Sequence, residues 1–302
     1  MRIIIKLLRV VFWGFMVSLT AGGVIAASFY LYFSPHLPAV EQLRELQLET
    51  PLRIYSSDNK LIAEFGEKRR TPIAIDETPP SLLDAFLAAE DSRFYEHQGV
   101  DLKGIARAVL QLVSTGRIQT GGSTITMQAA KNFFLSQERT FTRKFKEILL
   151  ALKIEQALEK DEILELYINK IYLGNRAYGV EAAANVYYGK STQDLSIAQM
   201  AMIAGLPKAP SKFNPLVSPD RALIRRNWIL DRMLTLGMID QQQHTEARTE
   251  GLTASYHGSE PDIEAPYIAE MARQEIVDRF GVDAYSSGMQ VILTINSRLP
   301  TA

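Results

Sequence analysis

The residues able to do chemistry in this sequence are a pair of acids at the end of one apolar stretch and a run of bases that follows it. Glu90 and Asp91 close the segment Leu82 to Ala89, which reads as an apolar helix. A carboxylate at a helix C-terminus opposes the helix dipole. That field, with apolar surroundings, would lift a carboxyl pKa toward a value useful for proton transfer. On spacing alone a simpler reading stands beside this one: Asp91 caps the next turn and Glu90 is merely exposed. His97 and Gly99 follow closely, and a lone His at a turn is more often a structural hydrogen-bonder than a catalyst.

The second feature is cationic. Gly121-Gly122-Ser123-Thr124 opens a helix and offers free backbone N–H groups to an anion, although the same residues make an ordinary N-cap. Downstream come Lys131, Arg139, Arg143, Lys144 and Lys146. Such a run can be a solvated helix face. Beside it, Asn132-Phe133-Phe134-Leu135 suggests exposed apolar side chains facing a membrane with anionic headgroups. Glu147 lies three and four residues from Lys144 and Arg143, the spacing of a helical ion pair. Two carboxylates on different helices near a cationic patch are the minimum set for glycosyl transfer from a phosphate leaving group.

The elements that must position these residues are mainly helical. Helices are expected from Pro79 to the Glu90 region, from Asp101 to Gly116, from Ser123, from Thr140, through Ile163 to Ile171, from the Ser196-Ile-Ala-Gln199 capping box, from Pro219 to Leu236, and from Pro266 to Phe280. Leu52 to Tyr55 and Leu61 to Phe65, flanking Ser57-Asp58-Asn59, read as a small β-hairpin. Gln290 to Ile295 alternates as a strand, and both ends of the body read as connectors. At the N-terminus no charge occurs from Val10 to Phe33. A helix of that length reaches about 36 Å, enough for a hydrocarbon core of about 30 Å. Arg2, Lys6 and Arg9 precede it and Glu41, Glu45 and Glu49 follow, so the positive-inside rule leaves the N-terminus cytoplasmic and the body outside. The expected divisions are a tail (1–9), a transmembrane anchor (10–33), a stalk with the hairpin (34–78), a catalytic body (79–240) and a C-terminal linker with its strand (241–302). With 33 Lys+Arg against 34 Asp+Glu, binding of nucleic acid through bulk positive charge is excluded. The absence of cysteine removes thiol nucleophiles and thiolate metal sites, and the four histidines have no metal-ligand spacing.

Taken together, the segments resemble the family 51 glycosyltransferase domain of class A penicillin-binding proteins and of monofunctional peptidoglycan glycosyltransferases. Five ordered blocks carry the resemblance: Glu90-Asp91-Ser-Arg-Phe94-Tyr-Glu-His97-Gln-Gly99; Gly122-Ser123-Thr124-Ile-Thr-Met127-Gln128 with Lys131-Asn132; Arg143-Lys144-Phe-Lys146-Glu147; Lys160 to Asn169; and Arg225 to Met233. Gly205-Leu-Pro-Lys-Ala-Pro-Ser211 is similar as well. The departures are mild: Ile168 and Ile229 replace Leu and Val, Gln199 replaces Glu, and Met127 stands where many members carry Gln. Ser57-Asp-Asn-Lys60 is the one Ser-x-x-Lys and reads as a turn, and Lys-Thr-Gly does not occur. The sequence ends just after a strand that would feed a transpeptidase domain, so no penicillin binding or cross-linking is expected of it.

The resemblance implies a lysozyme-like, mainly α lobe with a smaller membrane-associated lobe, and polymerisation of lipid II into β-1,4 glycan strands with release of undecaprenyl diphosphate. It implies that Glu90 is the general base, and that Glu147 orients the cations or holds a divalent ion such as Mg2+ or Mn2+, with no cofactor required. Lys131, Arg139, Arg143, Lys144 and Lys146 would meet the diphosphate. Ser123 and Gln128 would line the donor cleft with Gly122 and Thr124, while Asp91, Phe94 and His97 brace the loop of Glu90. The implied partners are lipid II and the growing glycan, membrane lipid, a moenomycin-type inhibitor and other wall-synthesis proteins. The implied location is the inner membrane with the body in the periplasm. Two rivals are a membrane-anchored lytic enzyme that cuts glycan and a truncated, non-catalytic scaffold.

Overall fold

The computed structural model describes residues 2–40, 43, 50–66, 69–116, 122–135, 140–258 and 262–298. Its first element is α1 (Arg2–Phe33), whose described side chains include exposed Phe12, Phe15, Val17, Leu19, Val24 and Leu31. Among the described residues no helix is long and apolar enough to cross a membrane. The side chains of Val10, Val11, Ile25, Ala26 and Phe29, within the expected span, lie outside the described set.

The body is a helical cluster: α2 (Pro80–Glu90), α3 (Leu102–Thr115), α4 (Ile125–Phe134), α5 (Phe141–Ala157), α6 (Lys160–Lys170), α7 (Val180–Tyr188), α8 (Ile197–Ala204), α9 (Pro219–Thr235) and α10 (Gln241–Thr249). Local chemistry explains the boundaries. Pro80 and Pro219 occupy first-turn positions, where their missing N–H costs nothing. Thr124 and Thr140 accept from the N–H groups of Met127 and Arg143, and Ser196 with Gln199 completes a capping box. The expected start at Ser123 is therefore two residues early, because the Thr124 hydroxyl takes the cap and the helix begins at Ile125. The segment after Asp240, expected as the start of the linker, forms the helix α10, opened by an Asp240–Gln243 capping box.

Apolar faces converge on one core holding Leu82, Phe86, Ile125, Leu150, Tyr167 and Leu230. Ile168 and Ile229 lie in it with no exposed surface, as volume-conserving swaps require. Within it α2 packs on α8 and α9, while α4 packs on α5 and α6. The segment before α2 is tied to α6: Asn169 exchanges hydrogen bonds with both backbone groups of Ile73, and Glu165 accepts from Ile75 N–H. This ties down the chain that leads into α2, and with it the approach to Glu90.

A separate small layer joins the two ends. The hairpin forms as expected from β1 (Leu52–Tyr55) and β2 (Leu61–Phe65), with Asn59 at φ 59° in its turn. The ends are more than connectors, however. The late strand β5 (Gln290–Ile292) pairs in parallel with β1 in the order β2-β1-β5, and α11 (Pro266–Phe280) packs on β2. Two further short strands, β3 (Arg69–Arg70) and β4 (Ala177–Tyr178), pair beside α7.

Candidate active site

Glu90 is the last residue of α2, and its side chain is only 13% exposed. Its two oxygens are held from opposite sides of the fold. Gln128 donates Nε2–H to Oε2 at 2.9 Å from α4, and Arg225 brings Nη2 to 3.4 Å from Oε1 from α9. Desolvation pushes the Glu90 carboxyl above its ordinary pKa. The Gln128 hydrogen bond and the charges of Arg225, Lys208 and Lys131 pull it part of the way back. Glu90 is thus not the exposed helix end of the simpler reading.

Asp91 is buried and performs two tasks. One carboxylate oxygen accepts the N–H of Ile125 at the start of α4, and both oxygens lie 3.0–3.1 Å from His97 Nε2. The acid next to Glu90 therefore caps a helix that starts 34 residues later. His97 leans on the ring of buried Phe94, and Lys160 sits 4.3 Å above that ring. His97 is the structural hydrogen-bonder expected of it. Gly99 is required here: its φ is +82°, and a Cβ would come 2.9 Å from the Ala151 carbonyl on α5. Thr124 donates its hydroxyl to Gly99 O at 2.6 Å, locking the first block to the second.

Facing Glu90 along α4 is the cationic group. Gln128 and Lys131 are three residues apart, hence on one face of the helix. Burial lowers the Lys131 pKa; Glu147 and Glu90 counteract this, and Arg143 and Lys144 add to it. Lys131 therefore feels both acids and the other cations of the cleft. Glu147 is buried with Lys144 Nζ at 2.9 Å and Arg143 Nε at 3.0 Å, the latter an ion pair without hydrogen-bond alignment. Lys144 also donates to Ser123 Oγ at 2.7 Å, while Gly122 is exposed beside it. The ends of α4 and α5 are thereby tied through one ammonium.

The fit of a divalent ion at Glu147 is poor. Its carboxylate is already faced by two cations, and among the described residues no group of three His, Asp or Glu could hold a metal.

Two of the predicted cations are not placed in this group. Arg139 and Gly121 lie outside the described residues. Lys146 turns away, with its ammonium 5.4 Å over the Phe33 ring at the end of α1. The reason is helical phase: two residues beyond Lys144 is about 200° round α5. Nor is Phe133-Phe134-Leu135 an exposed apolar wedge. All three pack partly buried against the core, and Lys170 lies 4.8 Å over Phe133. Met127, at the position where many relatives carry Gln, is buried in the interior and so takes no contact from the cleft.

Sequence reasoning missed three participants. Arg225 is 6% exposed, stacks 4.3 Å over Trp228 and donates to Ala89 O. Its path crosses Gly205, where a Cβ would sit 3.0 Å from Arg225 Cγ. The available signal was block five, whose Arg pair had no role assigned. Lys208, in the Gly205-to-Ser211 stretch, contributes charge at Glu90. The Tyr167 hydroxyl, fully buried and with no partner among the described residues, is held well above its ordinary pKa by burial and by Glu90 and Asp91.

The family model described as transglycosylase matches residues 58–234. Penicillin-binding protein 1A of Pseudomonas aeruginosa is 60% identical over 298 residues, covering 98% of this chain and 36% of that protein. Penicillin-binding protein 1A of Escherichia coli is 54% identical over 286 residues, covering 95% and 33%. The crystal structure of penicillin-binding protein 1A from Haemophilus influenzae shares 36% identity over 84% of this chain and 28% of that one, with a TM-score of 0.48. The chain thus spans about a third of the length of the curated relatives it matches.

Proposed function

The chain belongs to the transglycosylase family, and from that premise we propose that it polymerises lipid II into β-1,4 glycan. The observation that carries the reading is one helix face, Gln128 to Lys131 on α4, between a buried carboxylate on one side and a carboxylate-braced cation group on the other. The acceptor's 4-hydroxyl attacks the anomeric carbon of the donor with inversion. The bond from that carbon to the diphosphate oxygen breaks, and undecaprenyl diphosphate leaves. Glu90 takes the hydroxyl proton, because a sugar hydroxyl is a poor nucleophile at neutral pH. Burial makes Glu90 a stronger base than a solvated carboxylate, and Arg225 and Lys208 keep its ionised form accessible. Lys131, Arg143 and Lys144 offset charge developing on the diphosphate, with Arg139 as a further contributor. Ser123 and Gln128 line the donor side, and Gly122 and Thr124 hold the turn that carries Ser123. Asp91, Phe94 and His97 position the loop. Glu147 orients the cations, and the reaction needs no resident metal.

The body, residues 79–240, is read as the lysozyme-like catalytic lobe with its membrane-associated part, preceded by a stalk (34–78) and followed by a linker (241–302). The charge-free Val10-to-Phe33 stretch of α1, with its exposed apolar side chains, supports a single-pass anchor in the inner membrane, N-terminus cytoplasmic and body periplasmic. A moenomycin-type phosphoglycolipid would occupy the same cations, and other wall-synthesis proteins would be partners. Purified protein incubated with labelled lipid II should give a ladder of long glycan on a gel. Shortening of finished glycan with no polymer from lipid II would replace this reading with the lytic one, and no action on either would leave the scaffold.

A further inference from the structure

Outside the catalytic cleft, the loop after α2 and the first turn of α3 face the outer side of α5 across a groove of about 560 Å³. Its walls include Arg93, His97, Val100, Leu102, Ile148 and Leu152. Most of the charges lining it are spent on each other, since Arg93 pairs with Asp101 and reaches Glu96 at 3.9 Å, while Lys103 stands exposed at its edge. What the groove presents is therefore chiefly apolar, with Leu102 74% and Leu152 39% exposed. Exposure of large aliphatic side chains along a concave wall has a cost unless something covers them.

The position of the groove identifies the occupant. Ile148 and Leu152 follow Lys144 at four and eight residues, so the three form one ridge along α5. At 1.5 Å per residue the apolar positions lie about 6 and 12 Å beyond the ammonium. Ser123 and Glu147 hold that ammonium at the mouth of the ridge, and α3 forms the opposite wall, carrying exposed Leu110 and Val113 further on. A cationic mouth that continues into an apolar trough is complementary to an anionic head joined directly to a long hydrocarbon chain. A free phosphate or a nucleotide would leave the trough empty.

We propose that the α3/α5 groove seats the isoprene units beyond the second of a polyprenyl diphosphate whose head lies on Arg143 and Lys144. This rests on the reading of the cleft as a lipid-diphosphate site and adds to it a place on the protein for the tail. The groove then selects for chain length as well as for charge, and it guides the tail from the cleft along α3.

The test compares lipid II on an undecaprenyl chain with lipid II on a geranyl chain, in detergent, for wild type and for Leu102→Asn combined with Leu152→Asn. Both positions are solvent-exposed, so polar replacements are compatible with folding, and the thermal unfolding midpoint checks this. Wild type should prefer the long chain in KM, and the double variant should reduce that preference on the order of tenfold, the effect of losing a few buried methylene contacts. An unchanged preference, or an equal loss with both chains, overturns the groove. Calorimetric binding of undecaprenyl diphosphate and geranyl diphosphate separates the two readings. If wild type makes no polymer yet binds the long chain more tightly and the variant does not, the polymerase reading fails and the groove stands. If polymer forms and neither KM nor binding depends on these residues, the reverse holds.

Discussion

Glu90 and Glu147 are both buried carboxylates, yet the fold treats them oppositely. Glu147 has two cations at about 3 Å, supplied by its own helix at the i−4 and i−3 positions. Glu90 has one amide at 2.9 Å and one guanidinium at a loose 3.4 Å, both from distant parts of the chain. A carboxylate faced by two cations of its own helix is a firm bracket. A desolvated one with incomplete compensation is costly to ionise and takes up a proton readily. The same residue type thus occupies two electrostatic environments, set by the number and proximity of its counter-charges.

The largest effect that would test this contrast is on Glu90. Glu90→Gln should cut polymerisation of labelled lipid II by a factor on the order of 100–10,000 while leaving lipid II binding nearly intact. Activity above about half of wild type would remove Glu90 from its role. Next in size is Arg225→Gln. Loss of the guanidinium leaves Glu90 desolvated with less compensation, so its pKa rises further and the acid limb of the kcat/KM profile should move to higher pH. Activity on the acid limb should fall on the order of tenfold and recover at higher pH, with Arg225→Lys intermediate. A uniform loss at every pH would indicate a packing role only.

Smaller effects are expected on the bracket side. Glu147→Gln should weaken binding of a moenomycin-type phosphoglycolipid about tenfold by calorimetry, the lower end of the roughly 1.5–3 kcal/mol of a hydrogen bond to a charged group. The contrast sharpens if its pH profile stays like wild type's. Stability gives a further check with a definite sign. Because the Glu90 pKa is raised in the folded state, the folded state favours the protonated acid. The stabilisation is complete below the ordinary carboxyl value of 4.5 and is lost as pH rises through the raised one. Glu90→Gln should therefore unfold at a higher temperature than wild type at neutral pH, and the gap should close toward pH 4. The smallest effect belongs to Lys146→Ala. Its ammonium lies over Phe33, so polymerisation of detergent-solubilised lipid II should stay within about twofold of wild type.

Much of the architecture is legible residue by residue. Thr140 and the Ser196–Gln199 pair announce their helices, Pro266 to Phe280 is a helix with the expected bounds, and the Ser57-Asp58-Asn59 turn makes its hairpin. The candidate site was legible as residue types: Glu90, Gln128, Lys131, Lys144 and Glu147 do gather around α4 and α5. What escaped was any contact set by packing. Lys146 looked equivalent to Lys144 in a charge run; helical phase turns it to the other side of α5, and packing against the end of α1 gives it the Phe33 ring. Arg225 reaches Glu90 across 135 residues, through a gap that exists because Gly205 has no side chain.

Most of the helices, several of their caps, the hairpin and the kind of chemistry available are legible locally, because periodicity, capping and turn geometry are decided among residues a few positions apart. Packing alone sets which acid is desolvated with loose counter-charges and which is bracketed by cations, and that β1 and β5 join the two ends of the body in one sheet. Desolvation and charge pairing are sums over neighbours brought from the whole chain, and no local pattern contains that sum.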